Sequence, residues 1–559
     1  MPVTPEELST TIARALATLV DEGTLRLPDG VPADVVVERP RNRDHGDYAT
    51  NVALQLAKKA GVSPRELAGM LAERLTGSPG VASVDIAGPG FLNIRVTADA
   101  QGVLAAQVVA AGPSYGTSQT LAGTRFNVEF ISANPTGPLH LGHTRWAVVG
   151  DAIARVLEAA GAEVTREFYI NDRGSQMEKF GASLEAVALG RAVPEDGYHG
   201  AYVHDLAQLV VAENPHIVDL PEGERTVAFR EAGYKLQLTQ QQQQLSAFRT
   251  DFDIWYSERS LHDGDRVAHS LERLREQGHL FEADGALWMR TTDFGDDKDR
   301  VLVRSNGELT YFASDTAYYV DKRERGFDVC VYLLGADHHG YVGRLKAMAA
   351  CAGDDPEVNI EVLIGQLVKI LRGGEEIRLS KRAGTMVTLQ ELVEMIGVDS
   401  LRYTLSRYPA DSPLTLDVEE ITRQASDNPV FYVQYAHARL SAILRNGAEL
   451  GITPAGAGGS GFDPSLLSDE LEGELLRSLA DFPRVVATAA QLREPHRVAR
   501  YLEDTASKFH RFYDSCRVLP MGDEEPTALH RARLLLVDAT RVVLANGLDL
   551  LGVSAPERM

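Results

Sequence analysis

The stretch "NPTGPLHLGHTRW", residues 134–146, crowds two prolines and two glycines around His140 and His143. The segment before it, "TRFNVEFIS", alternates side-chain character and is rich in aromatic and branched residues, which predicts a strand. The segment that follows, "TRWAVVGDAIARVLEAAG", spaces its apolar residues as a helix does and ends on Gly161. Residues 134–146 are therefore read as a strand-to-helix turn. In open α/β sheets ligands bind at such turns, and a helix N-terminus favours phosphate. Gly142 lets a nucleotide approach the backbone, and imidazoles donate hydrogen bonds to phosphate oxygens without needing a full charge. A metal site or a purely structural turn are the alternatives at this point. No third ligand lies nearby in sequence, and the HExxH pattern is absent.

Working outward, 559 residues with 44% hydrophobic and 24% charged content can bury large cores and exceed one ordinary domain. Residues 1–115 read as a small α+β domain that closes on "VASVDIAGPGFLNIRV" and a helix. From 120 to 425 strands and helices alternate, as parallel-sheet units with insertions do. Residues 426–559 carry long helical patterns broken by "GITPAGAGGSGFDPS", which predicts an all-α bundle. Gln240–Gln244 sits within a longer helical pattern and is expected on a surface helix.

Cys330, Cys351 and Cys516 are far apart and form neither a disulfide framework nor a zinc cluster, which suits a reducing cytoplasm. No apolar run reaches membrane-spanning length, and the N-terminus is unlike a signal peptide, so a soluble protein that is not exported is expected. A net charge of −23 argues at first sight against nucleic acid, but charge acts where it is placed. One candidate basic face is "REPHRVARYLEDTASKFHRFYDSCRV", with Arg493, Arg497 and Arg500 on one helical side and Lys508 and Arg511 beyond. The alternative is a solvated amphipathic helix.

A second unusual stretch is "LVKILRGGEEIRLSKRAGTMVTL", residues 367–389, where Gly373 and Gly374 precede Arg378, Ser380, Lys381 and Arg382. Such a cationic loop can close over a polyphosphate. When a carboxylate attacks the α-phosphorus of ATP, charge grows on the phosphorane oxygens and on departing pyrophosphate, and a lysine there acts mainly in the transition state. Lys381 is the residue chosen for that role, against an exposed basic hairpin as the alternative.

"HLGH" after "NPTGP", followed by "RLSK" and then by a helical C-terminal region, resembles the two signature motifs of class I aminoacyl-tRNA synthetases. Within that class, "VEFISANPTGPLHLGHTR", "YINDRGSQMEKFG", "YFASDTAYY", "GADHHGYVGRLKA", "LSKRAGT" and "NPVFYVQYAHARL" together resemble the arginyl-tRNA synthetase family, over nearly the whole chain. Arg378 departs from the lysine usual at the first position of the second signature. The resemblance implies a Rossmann-like catalytic domain, an N-terminal domain that contacts the tRNA elbow, and an anticodon-binding bundle. ATP carrying Mg²⁺, L-arginine and tRNA(Arg) are the implied ligands, with no zinc, and a cytoplasmic monomer is the implied form.

By the same resemblance, His140, His143 and Lys381 are catalytic, and Gly142, Asp337 and Ser380 join them around ATP. Glu129, Ser132, Asn134, Tyr311, Asp315 and His339 meet arginine. A guanidinium asks for planar carboxylate partners, and a helix would present Tyr311, Asp315 and Tyr318 on one face. Asn171, Asp172, Gly174 and Gln176 are expected in a wall of the site. Phe91 and Asn93 form a platform for a splayed tRNA base, and Tyr435, His437, Arg439 and Arg497 are candidates for anticodon contact. A synthetase for another amino acid, a smaller adenylate-forming ligase and a catalytically silent tRNA-binding paralogue are the rival readings.

Overall fold

The structure is a computed structural model and describes residues 4–40, 45–376, 387–456 and 463–559, all but the side chains of 98–101. At the N-terminus, helices Pro5–Asp21 and Pro64–Leu75 each start with proline after a capping Thr4 or Ser63. A glutamate three residues into each, Glu7 or Glu66, returns the hydrogen bond to complete a capping box. These helices cover a three-stranded antiparallel sheet of β1 (Tyr48–Thr50), β2 (Val81–Ala87) and β3 (Phe91–Val96), in the order β1-β3-β2.

The core of this unit closes at Val96. The next helix, Ala98–Ala111, was expected to belong to it, but Leu104, Ala105 and Val108 enter the core of the C-terminal helices instead. "GVLAAQVVAA" is apolar on every side, so it needs cover on more than one face, and the N-terminal core is complete without it. Gly102 permits the contact: a Cβ there would lie 2.3 Å from the Pro464 carbonyl oxygen.

The chain then builds β4 (Arg125–Glu129), β5 (Glu163–Ile170) and β6 (Ile254–Ser257), an antiparallel ribbon of β7 (Leu280–Ala283), β8 (Ala286–Met289) and β9 (Arg300–Val303), and finally β10 (Val329–Gly335) and β11 (Ile360–Gly365). Five of these pair in parallel in the order β11-β10-β4-β5-β6. The strands move outward from β4 on one side and return on the other, so the topological switch lies between β4 and β10. That crevice is where an open α/β sheet binds ligands. Beyond it, β12 (Val368–Arg372) pairs with β13 (Glu375–Glu376) and, in parallel, with β14 (Leu414–Asp417).

Helices Pro429–Glu449, Glu470–Leu492, His496–Ser515 and Ala528–Leu550 form the C-terminal bundle. Its core continues into Val156 and Ala159 of the helix Leu141–Ala159 that follows the histidine turn, so the bundle and this helix share one packed interior.

The glutamine run lies within a 26-residue helix, Glu222–Ala247, as its periodicity suggests, but not wholly at the surface: Gln241 is buried, as is Gln237 earlier in the helix. Of the basic face near residue 497, Arg497 and Arg500 share an exposed helical side, but Arg493 does not join them. Arg493 ends the preceding helix in a left-handed conformation, pairs with Glu361 at 2.6 Å and covers the Phe126 ring. Arg497 pairs with Glu494, Lys508 with Asp504 and Arg511 with Glu474. Acids three or four residues away, or on the adjacent helix, neutralise what a one-dimensional count reads as basic.

Candidate active site

At the end of β4 the chain turns sharply, with Ile131 (φ 69°) and Ser132 (φ 44°) both in the left-handed region. A branched side chain there is strained, at a cost of about 1–3 kcal/mol per residue. Surrounding bonds hold the turn: Ser132 Oγ donates to Glu129 Oε1 at 3.0 Å and accepts the Tyr169 amide at 3.2 Å. Gln241 reaches in from the long helix and donates to the carbonyls of Asn134 (3.2 Å) and Gly137 (2.9 Å). Tyr202 donates to the Thr136 carbonyl at 3.1 Å. Tyr202 and Gln241, both far along the chain from the turn, thus buttress it.

His140 is the N-cap of the helix Leu141–Ala159, and the two imidazoles form its capping box. His140 Nδ1 accepts from the Gly142 amide, and His143 Nδ1 accepts from the His140 amide, both at 3.2 Å. The rings stack with centroids 3.7 Å apart. With Nδ1 accepting on each ring, a neutral imidazole in this arrangement carries its proton on Nε2. A Cβ on Gly142 would stand 3.2 Å from His140 Cε1, so glycine keeps the ring in this position. The Leu389 amide donates to the Leu139 carbonyl at 2.8 Å, which joins the turn to the chain just beyond the second signature. Ser380 and Lys381 themselves lie outside the described residues.

Both histidines line a cavity of about 660 Å³ at the sheet's switch point, together with Glu129, Ser132, Gly142, Tyr311, Asp315, Tyr318 and Asp337. Tyr311 and Asp315 are one helical turn apart on Tyr311–Glu324, and Tyr318 follows on the same face. Tyr311 is 77% exposed at the rim. Burial, with Glu129 and Glu258 nearby, pushes the Asp315 carboxyl up to about 7 against the lesser pull of Arg344.

Two expected contacts fall elsewhere. Asn134 is bonded to Gln176 at 2.7 Å and is not in the cavity wall. His338, rather than His339, lines the cavity, because the short 3₁₀ helix Ala336–Tyr341 turns successive side chains by a third of a circle. Asp172 and Gly174 line a neighbouring polar cavity of about 590 Å³ that shares Tyr311 as a wall. Asp172 is itself engaged there, accepting from Tyr234 (3.0 Å) and Ser257 (2.6 Å) and from the Arg259 amide (3.1 Å).

Several contributors escape sequence reading. Leu367, 75% exposed, and Trp146 line the cavity wall beyond β11, and a Cβ on Gly365 would collide with the Trp146 ring. Arg145 is buried and donates to the carbonyls of Gln366, Pro409 and Ser412 at 2.7–2.9 Å, and burial pushes its guanidinium down to about 10. Lys322 lies beneath Glu129. In sequence "DKRER" reads as a solvated helix end, with no signal that its lysine points inward.

In the N-terminal unit, Phe91 (41% exposed) and Asn93 line a cavity of about 520 Å³ with His45 and Asn51. In the bundle, Tyr435 is 42% exposed and stacks on Phe431 at 6.0 Å, while Arg439 sits 4.4 Å over the Tyr513 ring. His437 instead is buried, with Nδ1 2.9 Å from the Pro556 carbonyl oxygen, because it falls on the inner face of the same helix.

Among the described residues no three His, Cys, Asp or Glu side chains gather as a metal site, and no helix is long and apolar enough to cross a membrane.

Comparison with known proteins gives three matches in chain order. Residues 6–96 match the arginyl tRNA synthetase N terminal domain, residues 106–402 the catalytic domain of class I (R) tRNA synthetases, and residues 433–559 the DALR anticodon binding domain. Proteins of Kineococcus radiotolerans and Paenarthrobacter aurescens, each named arginine–tRNA ligase, are 57% identical over 558 residues, covering 100% of both chains. The solved arginyl-tRNA synthetase of Thermus thermophilus superposes with a TM-score of 0.75 at 24% identity, covering 99% of each chain.

Proposed function

The chain belongs to the arginyl-tRNA synthetase family and is an arginine–tRNA ligase, and on that premise we propose how its residues divide the work. L-Arginine occupies the Glu129–Asp315 end of the 660 Å³ cavity and ATP the His140–Asp337 end. One observation carries this reading: acids that suit a guanidinium and a helix N-terminus that suits phosphate share one cavity at the switch point of the sheet. Tyr311 packs on the guanidinium or its aliphatic stem while Asp315 accepts its hydrogen bonds. Ser132 keeps Glu129 oriented.

The arginine carboxylate attacks the α-phosphorus in line, the bond to the bridging oxygen of pyrophosphate breaks, and arginyl-adenylate forms. His140 and His143 donate from Nε2 to phosphate oxygens, and Lys381, with Ser380 beside it, meets the charge of the leaving pyrophosphate. Magnesium travels with the ATP phosphates as part of the substrate. The 2′-hydroxyl of the terminal adenosine of tRNA(Arg) then attacks the activated carbonyl, and AMP leaves.

Phe91 stacks a tRNA base and Asn93 bonds its edge. Tyr435 and Arg439 meet the anticodon loop, with Arg497 at the margin after release from Glu494. The enzyme works as a monomer in the cytoplasm, where its three buried thiols stay reduced.

Two measurements test this division. His143→Ala and Lys381→Ala are each expected to lower kcat for arginine-dependent aminoacylation by roughly 10²-fold, the scale of losing one oxyanion donor, with little change in arginine KM. A large rise in arginine KM with kcat intact would place these residues in ground-state binding instead. Phe91→Ala is expected to raise the tRNA KM by roughly tenfold, as loss of one base stack does, and to leave the KM values for ATP and arginine unchanged. An unaltered tRNA KM would remove Phe91 from the tRNA interface.

A further inference from the structure

Lys322 is 0% exposed, at the far end of the helix that carries Tyr311 and Asp315. A lysine seldom sits so deep unless its charge is met. Here Nζ donates to Glu129 Oε2 at 2.6 Å and lies 4.4 and 4.0 Å from the ring centroids of Tyr318 and Tyr332. Both rings line the arginine end of the cavity. Glu129 is therefore held from two sides, with Oε2 on Lys322 and Oε1 on Ser132, and its charge is partly offset from below.

We propose that Lys322 is a positioning residue for arginine recognition. It anchors Glu129 and offsets its charge, so that Asp315 meets the guanidinium as the less compensated carboxylate of the pocket. Two bare acids facing one another would share a proton and accept a cation in several geometries. One offset acid beside a less compensated one presents a single directed charge. This inference rests on the assignment of arginine to the Glu129–Asp315 end.

The groups around Asp315 make the idea measurable. Glu129 on β4, Glu167 and Tyr169 on β5, Glu258 after β6, Tyr318 and Lys322 on its own helix, Tyr332 on β10 and Arg344 on the next helix all bear on this end of the cavity. Glu167 is already met by Arg325 and by the Tyr318 hydroxyl, so Lys322 is the cation whose removal unmasks a carboxylate facing Asp315.

The experiment is the pH dependence of kcat/KM for arginine in aminoacylation at saturating ATP and tRNA. Lys322→Met is expected to lower kcat/KM for arginine by roughly tenfold and to move its acid limb alkaline by about one pH unit, as an added like charge does. Glu129→Gln leaves the lysine charge facing Asp315 and should move the same limb the opposite way. Opposite shifts cannot come from loosened packing alone. If both variants lose activity while the limb stays where it is in the wild type, Lys322 is only a buried structural pair. Should Lys322→Met not fold, the Glu129→Gln limb decides alone, and an unmoved limb overturns the proposal. Asp315→Asn separates the two levels: if it keeps its arginine KM, the pocket assignment itself fails.

Discussion

Asp315→Asn is expected to lower kcat/KM for arginine by on the order of 10³–10⁴-fold, with the ATP KM nearly unchanged, because a buried guanidinium left facing a neutral amide loses both its charge partner and one acceptor. Asparagine keeps the shape and offers an N–H where the substrate also offers N–H. The same carboxyl sets the pH response. With Asp315 pushed up to about 7, the free enzyme is largely protonated there at pH 6, and in the proposed pocket arginine would have to expel that proton to bind. Arginine kcat/KM should therefore rise from pH 6 to pH 8 and then level off.

Stability follows the opposite direction. The folded-state value lies above the ordinary 3.8, so the folded protein holds the proton more tightly than the unfolded chain. The contribution of this group is fully favourable below about 4 and is lost as pH rises through about 7. Asp315→Asn removes that penalty, and the melting temperature of the ligand-free variant should exceed that of the wild type at pH 8 but not at pH 4. Equal melting temperatures at both pH values, together with a flat arginine pH profile in the wild type, would contradict the raised carboxyl. An unchanged arginine KM in the variant would refute the pocket.

Arg402→Met should destabilise the whole protein by about 3–5 kcal/mol, the scale of stranding one member of a buried ion pair. Arg402 is fully buried and binds Asp151 through Nη2. It also donates to the carbonyls of Leu551 (3.2 Å), Phe248 (2.9 Å) and Arg249 (3.0 Å) and to the Thr250 hydroxyl (3.0 Å). Four segments meet on this guanidinium: the helix behind the histidine turn, the end of the long glutamine helix, its own helix Val398–Ser406, and the C-terminal "LLGV". Burial alone would raise the Asp151 carboxyl, but Arg402 and Arg155 outweigh it and hold the carboxyl below its usual range.

Methionine matches the bulk yet leaves Asp151 and four acceptors without this donor. Gly552 makes the fit exclusive, since a Cβ there would lie 2.1 Å from Arg402 Nη2. Denaturant unfolding should show the lower midpoint. A loss under 1 kcal/mol would mean that Arg155 and water take over the role. Double substitution of Arg402 and Asp151 by apolar residues should recover part of the loss, because no bare charge then remains.

The sequence by itself determined the elements whose information is local. Strand alternation, helical spacing and the Pro–Gly turn between them specify β4, the turn and the helix Leu141–Ala159, and with them His140 and His143 at a helix N-terminus. The spacing of Tyr311, Asp315 and Tyr318 placed three wall residues on one helical face. The motifs, met in order along the chain, also specified the family and the parallel-sheet architecture.

Only the tertiary structure decided which distant residues complete these pieces. Lys322 meets Glu129 across 193 positions, Gln241 holds the Asn134 carbonyl across 107, and Arg402 meets Asp151 across 251. It likewise put His338 rather than His339 in the wall, moved the helix Ala98–Ala111 onto the C-terminal bundle, and paired Arg493, Arg497 and Arg511 of the basic run with acids. The reason is physical. Periodicity is set by backbone geometry within a few residues, whereas the inward or outward aim of a lysine or glutamine depends on what a crossover brings above it. A polar residue in a helical pattern reads as solvated until a buried partner of opposite charge is packed against it.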